Sequence, residues 1–121
     1  MILIFGGVYQ GKLDYALQRF GLTESDVYRC SEDSTATPVS KKILYEIDKW
    51  ILASVKSQIL PDLTQISKDA IIICNDVSCG IVPIDPVMRQ WRETVGRALA
   101  VFARQSDEVI RLFCGIPSSV K

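Results

Sequence analysis

The 121-residue sequence predicts an α/β fold, in which a parallel sheet carries helices on its faces. Short apolar runs of strand length alternate with longer stretches whose apolar residues recur at helical spacing. Glycine, proline and short polar residues separate these runs. Hydrophobic residues make up 48% of the chain and charged residues 23%, which is ordinary for a globular protein. Because alternating strands and helices need crossover connections, we expect one doubly wound domain over residues 1–121, with right-handed crossovers.

The charge balance and the lack of a long apolar segment exclude several classes of protein. Lys and Arg number 14, Asp and Glu number 14, and the formal net charge is +0. Bulk electrostatics therefore gives no sign of a nucleic-acid partner. No apolar stretch is long enough to span a bilayer, and the opening segment is too short for a signal-peptide core. We expect a cytoplasmic protein with no membrane partner, and zero net charge favours a homo-oligomer.

Four cysteines, Cys30, Cys74, Cys79 and Cys114, are expected to be reduced thiols in the cytoplasm. All but Cys79 lie in or at the end of apolar strand-like runs, and we expect those three to be buried. The spacing Cys74-x-x-x-x-Cys79 is not a zinc-type pair, and the chain has no histidine to complete one. The thiols therefore do not predict a metal site.

The first residues have the order strand, glycine-rich loop, helix. The spacing Gly6-x-x-x-x-Gly11-Lys12 fits a phosphate-binding loop up to its last position, where Leu13 replaces Ser or Thr. Glycines let successive N–H groups face phosphate oxygens, and the helix N-terminus adds further donors. This predicts a single-domain P-loop-type parallel sheet with flanking helices, and a nucleotide site formed by Gly6, Gly7, Val8, Tyr9, Gln10, Gly11, Lys12 and Leu13.

Two alternatives stay open at this loop. Gly6 and Gly7 could form only a tight turn, with Lys12 a solvated helix residue. Leu13 lacks the hydroxyl that normally binds Mg²⁺, and its apolar side chain could instead have been recruited to packing. The loop therefore predicts phosphate binding more strongly than catalysis.

The rest of the chain gives further elements. We predict helices over Lys12–Phe20, from Ser40 to Pro61 and after Asp85-Pro86, with strands over Ile2–Phe5, Val27–Cys30, Ala70–Val77 and Val109–Cys114. A short helical turn is expected within 62–68, and loops over 31–40 and 78–83. The second helix would bury Ile43, Leu44, Ile47, Trp50, Ile51, Val55 and Ile59, and the third Met88, Trp91, Val95, Leu99 and Phe102. Gly115-Ile116-Pro117 is expected to end the sheet.

Polar residues at the carboxyl ends of the predicted strands are further site candidates, since open α/β sheets bind ligands there. Asp76 is a candidate catalytic carboxylate or Mg²⁺ ligand, and Asp33 is the alternative. Both could equally belong to ordinary surface turns. Arg89 and Arg92 fall outside the apolar stripe of the third helix, and they are candidates for contacting a phosphate or the substrate.

Two separated stretches resemble one family. MILIFGGVYQGKLDYA and IIICNDVSCGIVPIDPVMRQWRETVGRALA are similar to signatures of the bifunctional adenosylcobinamide kinase / adenosylcobinamide-phosphate guanylyltransferase family. The resemblance implies a P-loop fold and a role in cobalamin biosynthesis or salvage. It implies ATP or GTP as phosphoryl donor with Mg²⁺, adenosylcobinamide as the corrinoid acceptor, GMP transfer through a guanylylated histidine, and small homo-oligomers. The matching positions are Asn75, Val77, Gly80, Ile81, Val82, Pro83, Arg89, Arg92, Gly96 and Arg97.

The departures from that family limit what carries over. The chain has no histidine, Asp76 stands where the family has Glu, and the segment 26–69 shows no clear resemblance. We therefore predict a kinase that uses Lys12 and Asp76 and has lost guanylyl transfer. The alternative is a non-catalytic module that binds a nucleotide or a corrinoid as a regulator or scaffold. A third alternative is a packed α/β domain whose loop binds only stray anions.

Overall fold

A computed structural model describes residues 1–77 and 84–121. The described residues form one six-stranded sheet, in the order β2-β3-β4-β1-β5-β6, with three α-helices. The strands are β1 Ile2–Gly6, β2 Val27–Arg29, β3 Ile43–Tyr45, β4 Ile71–Asn75, β5 Glu108–Phe113 and β6 Ile116–Ser119. The helices are α1 Lys12–Phe20, α2 Ile47–Lys56 and α3 Pro86–Gln105, and single 3₁₀ turns occupy Glu24–Asp26 and Leu63–Gln65.

Strand β1 lies inside the sheet and pairs in parallel with β4 and β5. Strands β2, β3 and β4 continue the parallel part, and only β6 runs antiparallel to its neighbour. The α/β prediction is therefore confirmed. Because β1, β3 and β4 are parallel, their carboxyl ends meet at one edge of the sheet.

The sheet separates two apolar layers. On one face, Leu3 and Ile72 pack with Trp50 of α2 and Phe102 of α3. On the other face, Ile4 packs with α1, in a cluster that comprises Ile4, Ala16, Ile43, Ile71, Ile73, Ile110 and Leu112. Alternate residues of each central strand thus face opposite layers, which explains why these strands are apolar throughout.

The predicted helix from Ser40 to Pro61 is wrong at both ends. Ile43 and Leu44 belong to β3 and are buried in opposite layers. The sequence did not distinguish the two possibilities, because a short apolar run is typical of a buried strand as well as of a helix. Helix α2 ends at Lys56, before Pro61, and Gln58 then takes a left-handed conformation with φ 56°. Ile59, expected in the core, is 52% exposed.

The C-terminal prediction also needs correction. Residues 116–119 form β6, the second strand of a hairpin, where the sequence was expected to leave the sheet. Pro117 fits because β6 is an edge strand, and an edge residue does not need an N–H in the ladder. The turn uses Cys114 and Gly115, with φ 52° and 74°. Cys114 is exposed rather than buried, whereas Cys30 and Cys74 are buried as predicted.

Helices α1 and α3 confirm their predictions closely. Helix α1 has the predicted bounds and ends on Gly21 with φ 63°. Asp85 accepts a hydrogen bond from the Val87 N–H at 2.8 Å and so caps α3. Val95 and Phe102 are buried, while Met88, Trp91 and Leu99 are half-buried. The predicted loop 78–83 lies outside the described residues.

None of the helices in the described parts of the chain is long and apolar enough to cross a bilayer.

Candidate functional site

A cavity of about 690 Å³ opens at the carboxyl edge of the sheet. One wall is the glycine-rich loop with the start of α1, and the other is formed by the ends of β3 and β4 with the first turn of α2. Its lining residues are Val8, Tyr9, Gln10, Gly11, Lys12, Leu13, Asp14, Tyr45, Glu46, Lys49 and Asn75. The loop predicted from sequence therefore faces residues that lie far from it in the chain.

The shape of the loop depends on two glycines and a distant hydrogen bond. A Cβ on Gly6 would overlap the carbonyl oxygen of Leu112 in the neighbouring β5, so no other residue fits there. Gly11 takes φ 79° at the N-cap of α1, a conformation that favours glycine. The side-chain oxygen of Gln10 accepts a hydrogen bond from the Cys114 N–H in the β5–β6 turn. The hairpin thus holds the tip of the loop.

The side chain of Lys12 is directed toward the loop and is only 5% exposed. Its Nζ donates to the Gly7 carbonyl oxygen at 2.6 Å. Burial lowers the pKa of Lys12 from its usual 10.5, and the negative charges of Asp48 and Glu46 oppose this shift. The alternative of a solvated Lys12 is therefore wrong, because the ammonium group sits at the floor of the loop.

Leu13 lines the cavity and also contacts the core. Its half-buried side chain packs against the apolar cluster that contains Ile4 and Ala16. The structure therefore supports the packing role of Leu13, and the loss of a metal ligand at this position stays a prediction.

Glu46 is a cavity residue that the sequence reasoning missed. It follows β3 directly, with φ 57° and ψ 52°, a left-handed conformation that is unfavourable for a residue with a side chain. Its carboxylate lies 3.1 Å from the Lys49 Nζ and 3.5 Å from the Asn75 Nδ2. The missed signal was a carboxylate after the short strand Ile43–Tyr45, the same kind of signal that made Asp76 a candidate.

Asp48 lies behind this wall and is 2% exposed. Its Oδ1 accepts from the Asn75 backbone N–H at 3.0 Å, and its Oδ2 accepts from the Asn75 Nδ2 at 3.3 Å. Its own carbonyl oxygen accepts from the Trp91 Nε1 at 2.8 Å. Burial raises the pKa of Asp48, and the hydrogen bonds from Asn75 oppose that shift.

Comparison with known families decides the assignment of the chain. The model of the family described as cobinamide kinase / cobinamide phosphate guanyltransferase matches residues 33–120. The chain belongs to this family. Comparison with curated protein sequences gave no match. Membership associates the protein with cobalamin biosynthesis, as the resemblance implied.

The extent of the family match bears on one wall of the cavity. The match runs through residues 33–69, so the expectation that this segment lacks family resemblance is wrong. Glu46 and Asp48 lie within the matched range, as do Asn75 and Asp76. The glycine-rich loop lies before it, so the loop is assigned by its sequence pattern and its geometry.

The other predicted site residues differ in their placement. The Asp76 N–H donates to the Gly6 carbonyl oxygen at 2.8 Å, so Asp76 stands beside the start of the loop, although it does not line the cavity. Asp33 lies in an exposed segment, Arg89 is exposed on α3 and Arg92 is half-buried. None of these three lines the cavity, and their functional roles stay predictions.

A metal site made of protein ligands alone is not found in residues 1–77 and 84–121, where no three Asp, Glu, Cys or His side chains cluster suitably. Mg²⁺ rarely needs such a cluster beside a nucleotide, because phosphates and water supply most of its ligands. Glu46 and Asp14, which line the cavity, and Asp76, beside the loop, are carboxylates that could complete that coordination.

Proposed function

We propose that the protein binds ATP or GTP in the cavity and transfers the terminal phosphoryl group to the hydroxyl of a cobinamide-type corrinoid. The cavity itself supports this proposal, since the glycine-rich loop and Lys12 line it together with Glu46 and Asn75. Phosphoryl transfer requires mainly positioning and charge stabilisation, which loop N–H groups, a lysine and Mg²⁺ at a carboxylate can supply. Lys12 would bind the outer phosphates, and Glu46 with Asp76 would bind Mg²⁺ or receive the proton.

Guanylyl transfer is not part of this proposal. The resemblance implies that the family's second reaction passes through a guanylylated histidine, and the sequence contains no histidine. The described cavity offers a lysine and carboxylates in its wall, so a covalent nucleotide on imidazole has no residue on which to form.

Calorimetric titration with ATP and with GTP, with and without Mg²⁺, tests the proposal. Lys12→Ala should weaken nucleotide binding at least tenfold and abolish phosphorylation of cobinamide, because a buried ammonium next to the phosphates is lost. Lys68→Ala, at an exposed lysine that does not line the cavity, is the matched control and should change neither. Nucleotide affinity that ignores Lys12→Ala would contradict the proposal.

The second candidate is a non-catalytic nucleotide- or corrinoid-binding module, and the packing of Leu13 favours it. In the sequence pattern Leu13 replaces the residue with the metal-binding hydroxyl, and its side chain packs against the apolar cluster. This module would bind nucleotide through Lys12 with the same affinity in the presence of EDTA, and it would not turn over. Strong Mg²⁺ dependence would favour the kinase. Homo-oligomer formation is a further proposal, which light scattering after gel filtration would measure.

A further inference from the structure

The side chain of Asn75 lies at the end of β4 between two carboxylates. Its Nδ2 is 3.3 Å from the Asp48 Oδ2 and 3.5 Å from the Glu46 Oε2. Ionised carboxylates only accept hydrogen bonds, and an amide nitrogen carries two hydrogens to donate. The reverse orientation would place the amide oxygen against two anionic groups. The chemistry of the neighbours therefore fixes the nitrogen toward Asp48 and Glu46.

Asp48 makes this arrangement rigid. Both of its carboxylate oxygens accept from Asn75, one from the backbone and one from the side chain. Its carbonyl oxygen is held by Trp91 of α3, so α2, α3 and β4 all contribute to its position. A buried carboxylate that is 2% exposed and fully engaged has little freedom to turn.

One consequence concerns what Asn75 offers to a ligand. Asn75 lines the cavity, and both of its amide hydrogens are directed to carboxylates. It can therefore present only an acceptor, its Oδ1. The opposite wall presents donors, Lys12 and the loop N–H groups. Phosphate oxygens accept hydrogen bonds and therefore fit the wall with Lys12 and the loop N–H groups. A ligand group that donates a hydrogen bond, such as a hydroxyl, fits the wall with Asn75.

We propose that Asn75 binds the hydroxyl that attacks the terminal phosphate of the nucleotide, and that Asp48 is the positioning residue that keeps Asn75 in its accepting orientation. This inference rests on the phosphoryl-transfer function proposed above. The acceptor O–H donates to the Asn75 Oδ1 and its oxygen forms the bond to the terminal phosphorus. The bond from that phosphorus to the bridging oxygen breaks, the nucleoside diphosphate leaves, and the hydroxyl proton passes to Glu46.

Asn75→Ala tests the first half of the proposal. With a non-hydrolysable ATP or GTP analogue bound, we expect the affinity for cobinamide to fall about tenfold, because the hydroxyl loses its buried acceptor. Nucleotide affinity should change less than threefold, since phosphates bind the other wall. Calorimetry measures both constants, and thermal unfolding verifies that the variant is folded. Unchanged cobinamide affinity would overturn the proposal.

Asp48→Asn tests the second half, because it keeps the shape of the side chain and removes its charge. An amide at position 48 no longer enforces the orientation of Asn75, so cobinamide affinity should fall about as far as in Asn75→Ala. The double variant should lose little more than either single one, since both act on one hydrogen bond. Additive losses would show that Asp48 does not act through Asn75. Asp62→Asn, at an exposed carboxylate, is the matched control.

The outcomes separate this inference from the function on which it rests. If neither nucleotide binds the wild-type protein, the proposed function is wrong and the role of Asn75 is overturned with it. If nucleotide binds through Lys12 but cobinamide does not bind, the proposed acceptor is wrong and this inference is overturned with it. If the wild-type protein phosphorylates cobinamide but Asn75→Ala binds cobinamide equally well, only this inference is overturned. If Asp48→Asn does not fold, Asn75→Ala alone decides whether the hydroxyl contacts position 75.

Discussion

The two ends of helix α2 have the same backbone conformation for different reasons. Glu46 at the N-terminal end and Gln58 just after the C-terminal end both take left-handed dihedrals, with φ 57° and 56°. At the C-terminal end this conformation closes the helix, because the Gln58 and Ile59 N–H groups bond the carbonyl oxygens of Val55 and Ser54 at 3.1 and 2.9 Å.

The N-terminal end gains no such closure. Glu46 makes no side-chain cap for α2, although an N-cap residue normally does. With this conformation, the Glu46 carboxylate lies in the wall of the cavity, beside Lys49 and Asn75. Backbone strain of about 1–3 kcal/mol at such a residue is typical of functional sites. The same backbone conformation therefore closes a helix in one place and puts a carboxylate in the wall of a cavity in the other.

The largest expected difference between the two ends is in packing. Ile47→Ala removes a fully buried side chain at the N-terminal end, where Ile47 is 0% exposed, and should lower the free energy of unfolding by about 2–5 kcal/mol. Ile59→Ala removes a side chain that is 52% exposed and should cost less than about 1 kcal/mol. Urea denaturation measures both, and similar losses would show that the two ends are packed alike.

A pair of glycine substitutions compares the two strained residues directly. Glu46→Gly and Gln58→Gly should each raise the free energy of unfolding by about 0.5–1 kcal/mol, because glycine accepts a positive φ. Only Glu46→Gly should also reduce phosphorylation of cobinamide, by about 100-fold, because a cavity carboxylate is lost. Stability comes from urea denaturation and turnover from a coupled assay.

The result for Gln58→Gly is the control for that pair, since Gln58 does not line the cavity. Equal activity in the two glycine variants would mean that the Glu46 carboxylate has no role in phosphorylation. A loss of stability in Glu46→Gly would mean that its ion pair with Lys49 outweighs the backbone strain.

The smallest effect is a dependence of nucleotide binding on alkaline pH. Burial lowers the pKa of Lys12 from 10.5, so affinity should fall about tenfold per pH unit above that lowered value, as the ammonium deprotonates. Lys12→Arg should remove this decline, because guanidinium stays charged. Lys56→Arg is the control, because Lys56 lies at the C-terminal end of α2 and does not line the cavity, and this variant should show the same decline as the wild-type protein. Calorimetry at several pH values measures it.

Over the same alkaline range, the contribution of Lys12 to protein stability should rise while nucleotide affinity falls. This difference separates deprotonation of Lys12 from unfolding as the cause of the lost affinity. Between the lowered folded-state pKa of Lys12 and its unfolded value of 10.5, the unfolded state binds more protons than the folded state. The contribution of Lys12 to stability therefore increases as pH rises through this window. A fall of affinity accompanied by unfolding would contradict the assignment to Lys12.

The comparison of the two ends also shows how far the sequence determines the site. The loop wall was predictable, because Gly6, Gly11 and Lys12 follow a short strand at a spacing that phosphate binding requires. Asp76 was a candidate for a similar reason, because it follows an apolar strand, whereas Asn75 was named only as a position of the family resemblance. Glu46 was not predictable, because Ile43 and Leu44 continue the apolar stripe of α2 and concealed a three-residue strand.

Other features could not be obtained from local patterns at all. The burial of Asp48 depends on a hydrogen-bonding partner in β4, and nothing within α2 identifies it. The role of Gln10 depends on a turn at Cys114, at the other end of the chain. The hairpin itself was missed because Pro117 disfavours a strand everywhere except at an edge, and the edge is a property of the sheet order.

The position of β1 in the sheet has a consequence for biosynthesis. Ile2 is synthesised before both of its strand partners, Ile71 and Glu108, and Gln10 before its partner Cys114. During translation β1 therefore stays unpaired until β4 has emerged, and its second edge stays open until β5 follows. The glycine-rich loop therefore gains its hydrogen bond to the β5–β6 turn only after that hairpin has been made, although the loop is synthesised before it. A ribosome-bound fragment without β5 has the strands β2-β3-β4-β1 with one edge of β1 uncovered, and an uncovered apolar edge is prone to aggregation.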